Sequence, residues 1–154
     1  MNASANVIIR EGTIAECIEI SKNIPEFSSD GYDENTYFQR LTNKQFLILV
    51  AVRDQQLIGF KVGYNRYDDG SFYSWLGGVL PEFRKYRIAS QLAAKQECWA
   101  YEKGFNSIVL KTRNHFKAML IFALKNDFLI ENIESKKNNE ETRIILRKKL
   151  KIDK

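Results

Sequence analysis

Three cations crowd the segment Leu80-Pro81-Glu82-Phe83-Arg84-Lys85-Tyr86-Arg87-Ile88-Ala89-Ser90. The residues before it read as a strand and those after it as a helix. The cations therefore stand where a helix begins, and unpaired N–H groups and the helix dipole favour an anion there. Two readings fit: a cradle for a pyrophosphate, or a solvated basic loop. The net charge of +5 and pI near 9.2 favour polyanionic partners without choosing among nucleic acid, an anionic membrane and a phosphorylated cofactor. One window runs against this charge. Asn23 to Gln39 holds Glu26, Asp30, Asp33 and Glu34 and no Lys or Arg, a formal −4 that leaves +9 elsewhere. Such a window is either a local negative field or a solvated, turn-rich loop. Asp68 and Asp69 add two carboxylates in a later turn. Trp75, inside a strand, reads as a core aromatic.

Other chemistries are poorly provided for. One histidine, His115, and two distant cysteines, Cys17 and Cys98, disfavour a zinc centre and a disulfide scaffold. Cys98, mid-helix beside Trp99 and Ala100, reads as a buried structural thiol, and His115 as an exposed side chain. The longest apolar run, Phe46 to Val52, is too short to span a bilayer, and no leader pattern is visible. These features predict a cytoplasmic protein with no membrane partner and no metal. The basic run Arg147 to Lys151 reads as a strand end and tail. Nucleic-acid binding is disfavoured because no recognition motif accompanies it. At 154 residues, 44% hydrophobic and 28% charged, the chain fits one globular domain.

The elements that must position these residues follow from period and punctuation. Residues 6–10 read as a strand. Thr13-Ile14-Ala15-Glu16 is a capping box opening a helix that Pro25 ends, and a short helix follows over about 33–41. Strands over 46–52, 57–67 and 72–80 form an antiparallel meander, turned at Asp54-Gln55-Gln56 and Asp69-Gly70. Ile88, Leu92 and Trp99 lie along one line of a helix that Gly104 ends, with Ala89, Ala93 and Ala100 beside them. A strand over 107–112, a helix whose apolar residues are Phe116, Met119, Leu120, Ala123 and Leu124, and strands over 128–133 and 142–150 complete the order β-α-α-β-β-β-α-β-α-β-β. The strand–helix–strand unit spanning 72–112 must be a right-handed crossover with parallel strands. Gly77-Gly78 inside a strand predicts a bulge or a close backbone approach. The fold class is α+β.

Val79-Leu80-Pro81-Glu82-Phe83-Arg84-Lys85-Tyr86-Arg87-Ile88-Ala89 resembles the cofactor loop of the GNAT superfamily of acetyl-CoA-dependent N-acetyltransferases, Q/R-x-x-G-x-G/A in a phrase such as V-x-P-E-x-R-G-x-G-I-A. The element order resembles that family's over nearly the whole chain. The resemblance implies a mixed, mostly antiparallel seven-stranded sheet flanked by about four helices. It implies acetyl-CoA as co-substrate, an amine acceptor and direct attack, in a monomer or homodimer. Cofactor contacts then fall to Val79, Leu80, Arg84, Lys85, Tyr86, Arg87, Ile88, Ala89 and Ser90. Asn114 is either a pantetheine contact or a plain helix cap. The 23–39 segment resembles the family's flap over the acceptor site, which implies that Glu26, Asp30, Asp33 and Glu34 form an acidic mouth that draws a protonated amine, bordered by Asp68 and Asp69 and walled by Trp75; the alternatives are a solvated loop and a core aromatic.

Two departures stand out. Arg87 replaces the first loop glycine, a change of small consequence for a residue already in right-handed helical φ/ψ. Ala123 stands where many members carry a tyrosine acid, and Asp127 replaces a following glycine, with Asn126 expected to supply the left-handed cap. No catalytic residue is assigned. The alternatives are a catalytically silent CoA-binding module and, on charge alone, a nucleic-acid-binding domain.

Overall fold

The computed structural model describes residues 6–27 and 31–151. Seven strands and four α-helices follow one another as β1 (Val7–Glu11), α1 (Ile14–Ser21), α2 (Glu34–Leu41), β2 (Phe46–Arg53), β3 (Gln56–Tyr64), β4 (Ser71–Val79), α3 (Ile88–Glu102), β5 (Ser107–Arg113), α4 (Lys117–Lys125), β6 (Leu129–Glu134) and β7 (Arg143–Lys149). Short 3-10 helices occupy Pro25–Phe27, Pro81–Tyr86 and Asn139–Glu141. The sheet order is β1-β2-β3-β4-β5-β7-β6. Among the described residues no helix is long and apolar enough to cross a membrane.

The chain divides into two compact units. The first comprises residues up to Tyr64 together with Trp75–Trp99. Its β2 pairs antiparallel with both β1 and β3 and is buried from Leu47 to Ala51, which is why its sequence is a continuous apolar run rather than an alternation. The β2–β3 turn places Asp54 and Gln55 at φ 49° and 67°, as a tight primed hairpin demands. α1 starts at the predicted box: Thr13 Oγ1 accepts from Glu16 N–H at 3.2 Å, and Glu16 Oε1 accepts from Thr13 N–H at 3.0 Å. Arg10 adds a fork onto Glu16 at 2.6 and 3.1 Å. Ile20 and Ile24 follow into the core with Tyr37, Phe60 and Ile58, each apolar side chain contributing about 1.5–3 kcal/mol.

α3 buries Ile88, Leu92, Gln96 and Ala100, a strict four-residue row. The expected line through Trp99 is therefore displaced, and Trp99 is only half-buried. Cys98, two positions from Gln96, is exposed, which corrects the reading of a buried thiol. Cys17 is the buried one, and desolvation pushes its thiol up to about 12.

The second unit comprises Asn65–Ser74 and Ala100–Lys154. Here β4 opens in parallel with β5, Ser71 opposite Ser107 and Tyr73 opposite Val109. β7 pairs antiparallel with both β5 and β6. Phe72 and Phe105 pack at a tilt with ring centres 5.0 Å apart, and Ile108 and Leu146 are buried in the same unit. The preceding turn needs Gly70, at φ +92°, because a Cβ there would lie 2.7 Å from Asn106 Nδ2.

Candidate active site

The end of β4 and the start of α3 form one hydrogen-bonded junction within the first unit. Leu80 N–H donates to Ile58 O at 2.8 Å and Phe83 N–H to Leu80 O at 2.9 Å. Pro81 opens the 3-10 helix, where a missing N–H does no harm. The chain then passes through Arg87 at φ 60°, ψ 28°, and the first bond of α3 runs from Gln91 N–H to Arg87 O at 3.1 Å. The N–H groups of Ile88, Ala89 and Ser90 precede that bond and lack a helical acceptor. Lys85 and Arg87 are exposed beside them, and neither has a carboxylate partner among the described residues. Three open N–H groups, a helix dipole and two unpaired cations suit a pyrophosphate.

Arg87 is not in the expected right-handed region. It is left-handed, because the chain must reverse between a 3-10 helix and α3 at this residue. That conformation costs a residue with a Cβ about 1–2 kcal/mol, and it supplies a local reason for glycine at the matching position of the loop motif. The same holds at Asp127, φ +70°. Asn126 has φ −100°, so the left-handed residue is Asp127 and not Asn126, whose Nδ2 instead donates to Phe122 O at 2.7 Å.

Arg84 faces away from an open cradle. Its Nε donates to Val79 O at 3.0 Å and its Nη2 to Glu26 Oε1 at 2.9 Å. It ties the last carbonyl of β4 to the Pro25–Phe27 turn, and the guanidinium holds the Glu26 carboxyl below its usual range. Val79 O keeps a second lone pair, whereas Leu80 N–H is already engaged, leaving only its carbonyl for a further contact. Other acidic residues also hold structure. Asp33 caps α2, accepting from Thr36 N–H and Oγ1 at 2.9 Å each, and those bonds lower its carboxyl. Asp69 accepts from Ser71 N–H and Oγ, and Asp68 is bonded by Asn65. Glu34 is exposed in the first turn of α2. Asp30 lies outside the described residues.

Trp75 is half-buried in an aromatic cluster with Tyr32, Tyr37 and Tyr64, at centroid distances of 5.3, 5.2 and 5.8 Å. Arg40 Cζ lies 4.8 Å from the Trp75 ring centre and 5.8 Å from that of Tyr32, and Arg40 Nη1 donates to Tyr64 Oη at 3.3 Å. Further along β4 the predicted close approaches occur. A Cβ on Gly78 would meet Ile24 Cδ1 at 2.8 Å and Phe27 at 3.1 Å, and one on Gly77 would meet Phe60 O at 3.2 Å. Trp75 and the missing Cβ of Gly78 face the same side, with Phe60 and Tyr64, although three residues apart. The two-residue alternation of a strand thus slips by one between them, as a bulge requires. Sequence reasoning missed Arg40 and Tyr32. The signal was available: the acidic window was closed at Gln39, one residue short of the arginine.

In the second unit, Asn114 is not a helix cap. α4 begins at Lys117 behind Phe116. Asn114 Nδ2 donates to Asn139 O at 2.9 Å and its N–H to Thr142 O at 3.1 Å, pinning the end of β5 to the Asn139–Glu141 turn. His115 shares that turn, 3.4 Å from Glu141, where Arg113 also pairs at 2.6 Å. Ala123, at the position of the family's tyrosine, is fully buried and offers no proton.

Residues 12–128 match the model of the acetyltransferase (GNAT) family. No curated protein sequence matches the chain. The fold matches that of the ribosomal-protein-S18-alanine N-acetyltransferase from Escherichia coli, at 12% identity and a TM-score of 0.79, covering 96% of each chain. Ard1 from Thermoplasma volcanium superposes with a TM-score of 0.78 at 17% identity, over 96% of this chain and 99% of its own. A GNAT family acetyltransferase from Elizabethkingia anophelis, solved with acetyl-CoA bound, gives 0.72 at 21% identity, over 94% and 99%. With the family match spanning three quarters of its length, a seven-stranded sheet and a cation-bearing junction at the helix that follows β4, the chain belongs to the GNAT acetyltransferase family.

Proposed function

We propose that this protein is a cytoplasmic N-acetyltransferase that moves the acetyl group of acetyl-CoA to a primary amine by direct attack. The observation that carries the reading is the junction at residues 79–90. Open N–H groups of Ile88, Ala89 and Ser90, flanked by Lys85, Tyr86 and Arg87, complement a pyrophosphate, and the second lone pair of Val79 O is available to a pantetheine amide. Arg84 acts as a positioning residue that holds the cradle through Val79 and Glu26. The acetyl-CoA-bound relative supports the choice of cofactor.

In the reaction the neutral amine forms a C–N bond at the thioester carbon, the C–S bond breaks, and the thiolate of CoA departs. A thiol pKa near 8.5 puts that thiolate only about 2 kcal/mol above its protonated form at pH 7, so water can protonate it where Ala123 cannot. The amine proton leaves to water, with Glu34, among the described residues the acidic-window carboxylate that makes no structural bond, to draw the ammonium. Ala123 also favours a second reading, a CoA-binding module without turnover. Release of free thiol from acetyl-CoA in the presence of an amine panel separates the two: amine-dependent release supports the enzyme, and tight CoA binding with no release supports the module.

A further inference from the structure

We propose that Arg40, lying over the rings of Trp75 and Tyr32, is the anchor of an acceptor subsite for a carboxylate, so that the amine substrate is an amino acid or a peptide end bearing a single negative charge beside an apolar group. The inference rests on the acetyl-transfer reading for the amine end of the acceptor only.

Arg40 shares with Arg66 and Arg87 the lack of a carboxylate partner among the described residues, and differs from both in lying over a tryptophan ring. Arg10, Arg53, Arg84, Arg113, Arg143 and Arg147 each have a carboxylate within 4.0 Å. Among the described residues Arg40 has none, and its Nη1 donates to the Tyr64 hydroxyl at 3.3 Å. It is nonetheless half-buried and held over the faces of Trp75 and Tyr32. Contact with two rings restricts the guanidinium, and the donors that Tyr64 does not use remain for a planar carboxylate partner. Of the two rings, Tyr32 is 38% exposed and Trp75 is partly so, so an apolar group can lie against them while a carboxylate meets the fork. The surrounding charge limits the ligand. Asp33 and Glu34 head the same helix, which opposes a dianionic phosphate more strongly than a monoanion. Trp75 also stands on β4, four residues before Val79, on the strand that runs into the cofactor junction.

The test uses the full chain carrying Trp99→Phe, which leaves Trp75 as its sole tryptophan. N-acetylphenylalanine and its C-terminal amide are titrated against Trp75 fluorescence. Both probes lack a nucleophile and require no turnover. The carboxylate probe is expected to bind at least tenfold more tightly than the amide, as befits a charge-assisted fork. Arg40→Gln should erase the difference, and Arg40→Lys should keep part of it. Equal affinity of the two probes, no response of Trp75 to either, or an unchanged preference in Arg40→Gln overturns the subsite. Acetyl transfer is then assayed with phenylalanine and phenylalaninamide. Turnover without carboxylate preference refutes the subsite and leaves the enzyme. Probe discrimination that depends on Arg40, without turnover of any amine, supports the subsite and refutes the enzyme.

Discussion

Replacing Arg87 by glycine should raise stability and weaken CoA binding at once, two effects with opposite signs from a single side chain. The stability term follows from φ 60°. A left-handed residue with a Cβ costs about 1–2 kcal/mol, of which the greater freedom of glycine in the unfolded chain returns about 0.4–1 kcal/mol. The net gain is about 0.5–1 kcal/mol, or an increase in Tm of about 1–4 °C for a chain of this size. The binding term follows from the exposed guanidinium next to three open N–H groups. A charge-assisted contact is worth about 1.5–3 kcal/mol when sheltered, and solvent screening at this exposed position reduces it to about 1 kcal/mol, roughly fivefold in Kd. Thermal denaturation measures the first and calorimetric titration with CoA the second. Arg87→Ala separates them, with the same loss of affinity and no rise in Tm. Added salt should narrow the gap between wild type and either variant. If Arg87→Gly binds CoA as tightly as wild type or more so, the side chain is an obstacle in the cradle rather than a phosphate ligand, and the reasoning fails.

Three further outcomes follow from the same geometry. Glu26→Gln should flatten the acid limb of the stability profile. Arg84 lowers the Glu26 carboxyl, so the pair's contribution is present above the unfolded pKa, near 4.3, and is lost as pH falls through the lower folded value; the pair is exposed, so chemical denaturation against pH should show a loss below about 1 kcal/mol. Lys61→Met should stabilise the protein by about 1–2 kcal/mol at pH 7 and remove an alkaline rise in stability. Burial pushes the half-buried Lys61 down to about 8, partly opposed by Glu97, so between pH 8 and about 10.4 the unfolded chain binds more protons and wild-type stability climbs; identical pH profiles for both proteins would contradict this. Iodoacetamide at neutral pH should label exposed Cys98 and spare buried Cys17 in the folded protein, and peptide mass spectrometry after incubation with acetyl-CoA should find neither thiol as a competent acetyl carrier.

What was legible in the sequence was mostly local. The Thr13–Glu16 box, the β2–β3 turn and the glycine pair of β4 encode their geometry in residues a few positions apart, and each is present as read. Long-range pairings were invisible by nature. Glu26 and Arg84 lie 58 residues apart, and no spacing rule joins an acidic turn to a basic loop, so each reads from sequence as a ligand contact, whereas the structure pairs them with each other. The left-handed residues escaped for another reason. Arginine and aspartate do not advertise positive φ as glycine does, and only the reversal of the chain around Arg87 and Asp127 reveals it. Cys98 was misplaced because the apolar residues of α3 allowed two lines, and the buried polar Gln96 marks the one that faces inward. Arg40 escaped because an acidic window was delimited by charge alone, whereas its partners Tyr32, Tyr64 and Trp75 are brought together by β3, β4 and α2.

The most direct test of the account is a stoichiometric assay of acetyl transfer. Purified protein is incubated with acetyl-CoA and a panel of primary amines, and free CoA and N-acetylated amine are quantified together by mass spectrometry. The account predicts one acetylamine formed for each CoA released, at a rate that depends on amine and falls in Arg87→Gly when acetyl-CoA is limiting. CoA release that never exceeds the rate without protein, or release with no acetylamine formed, would contradict it.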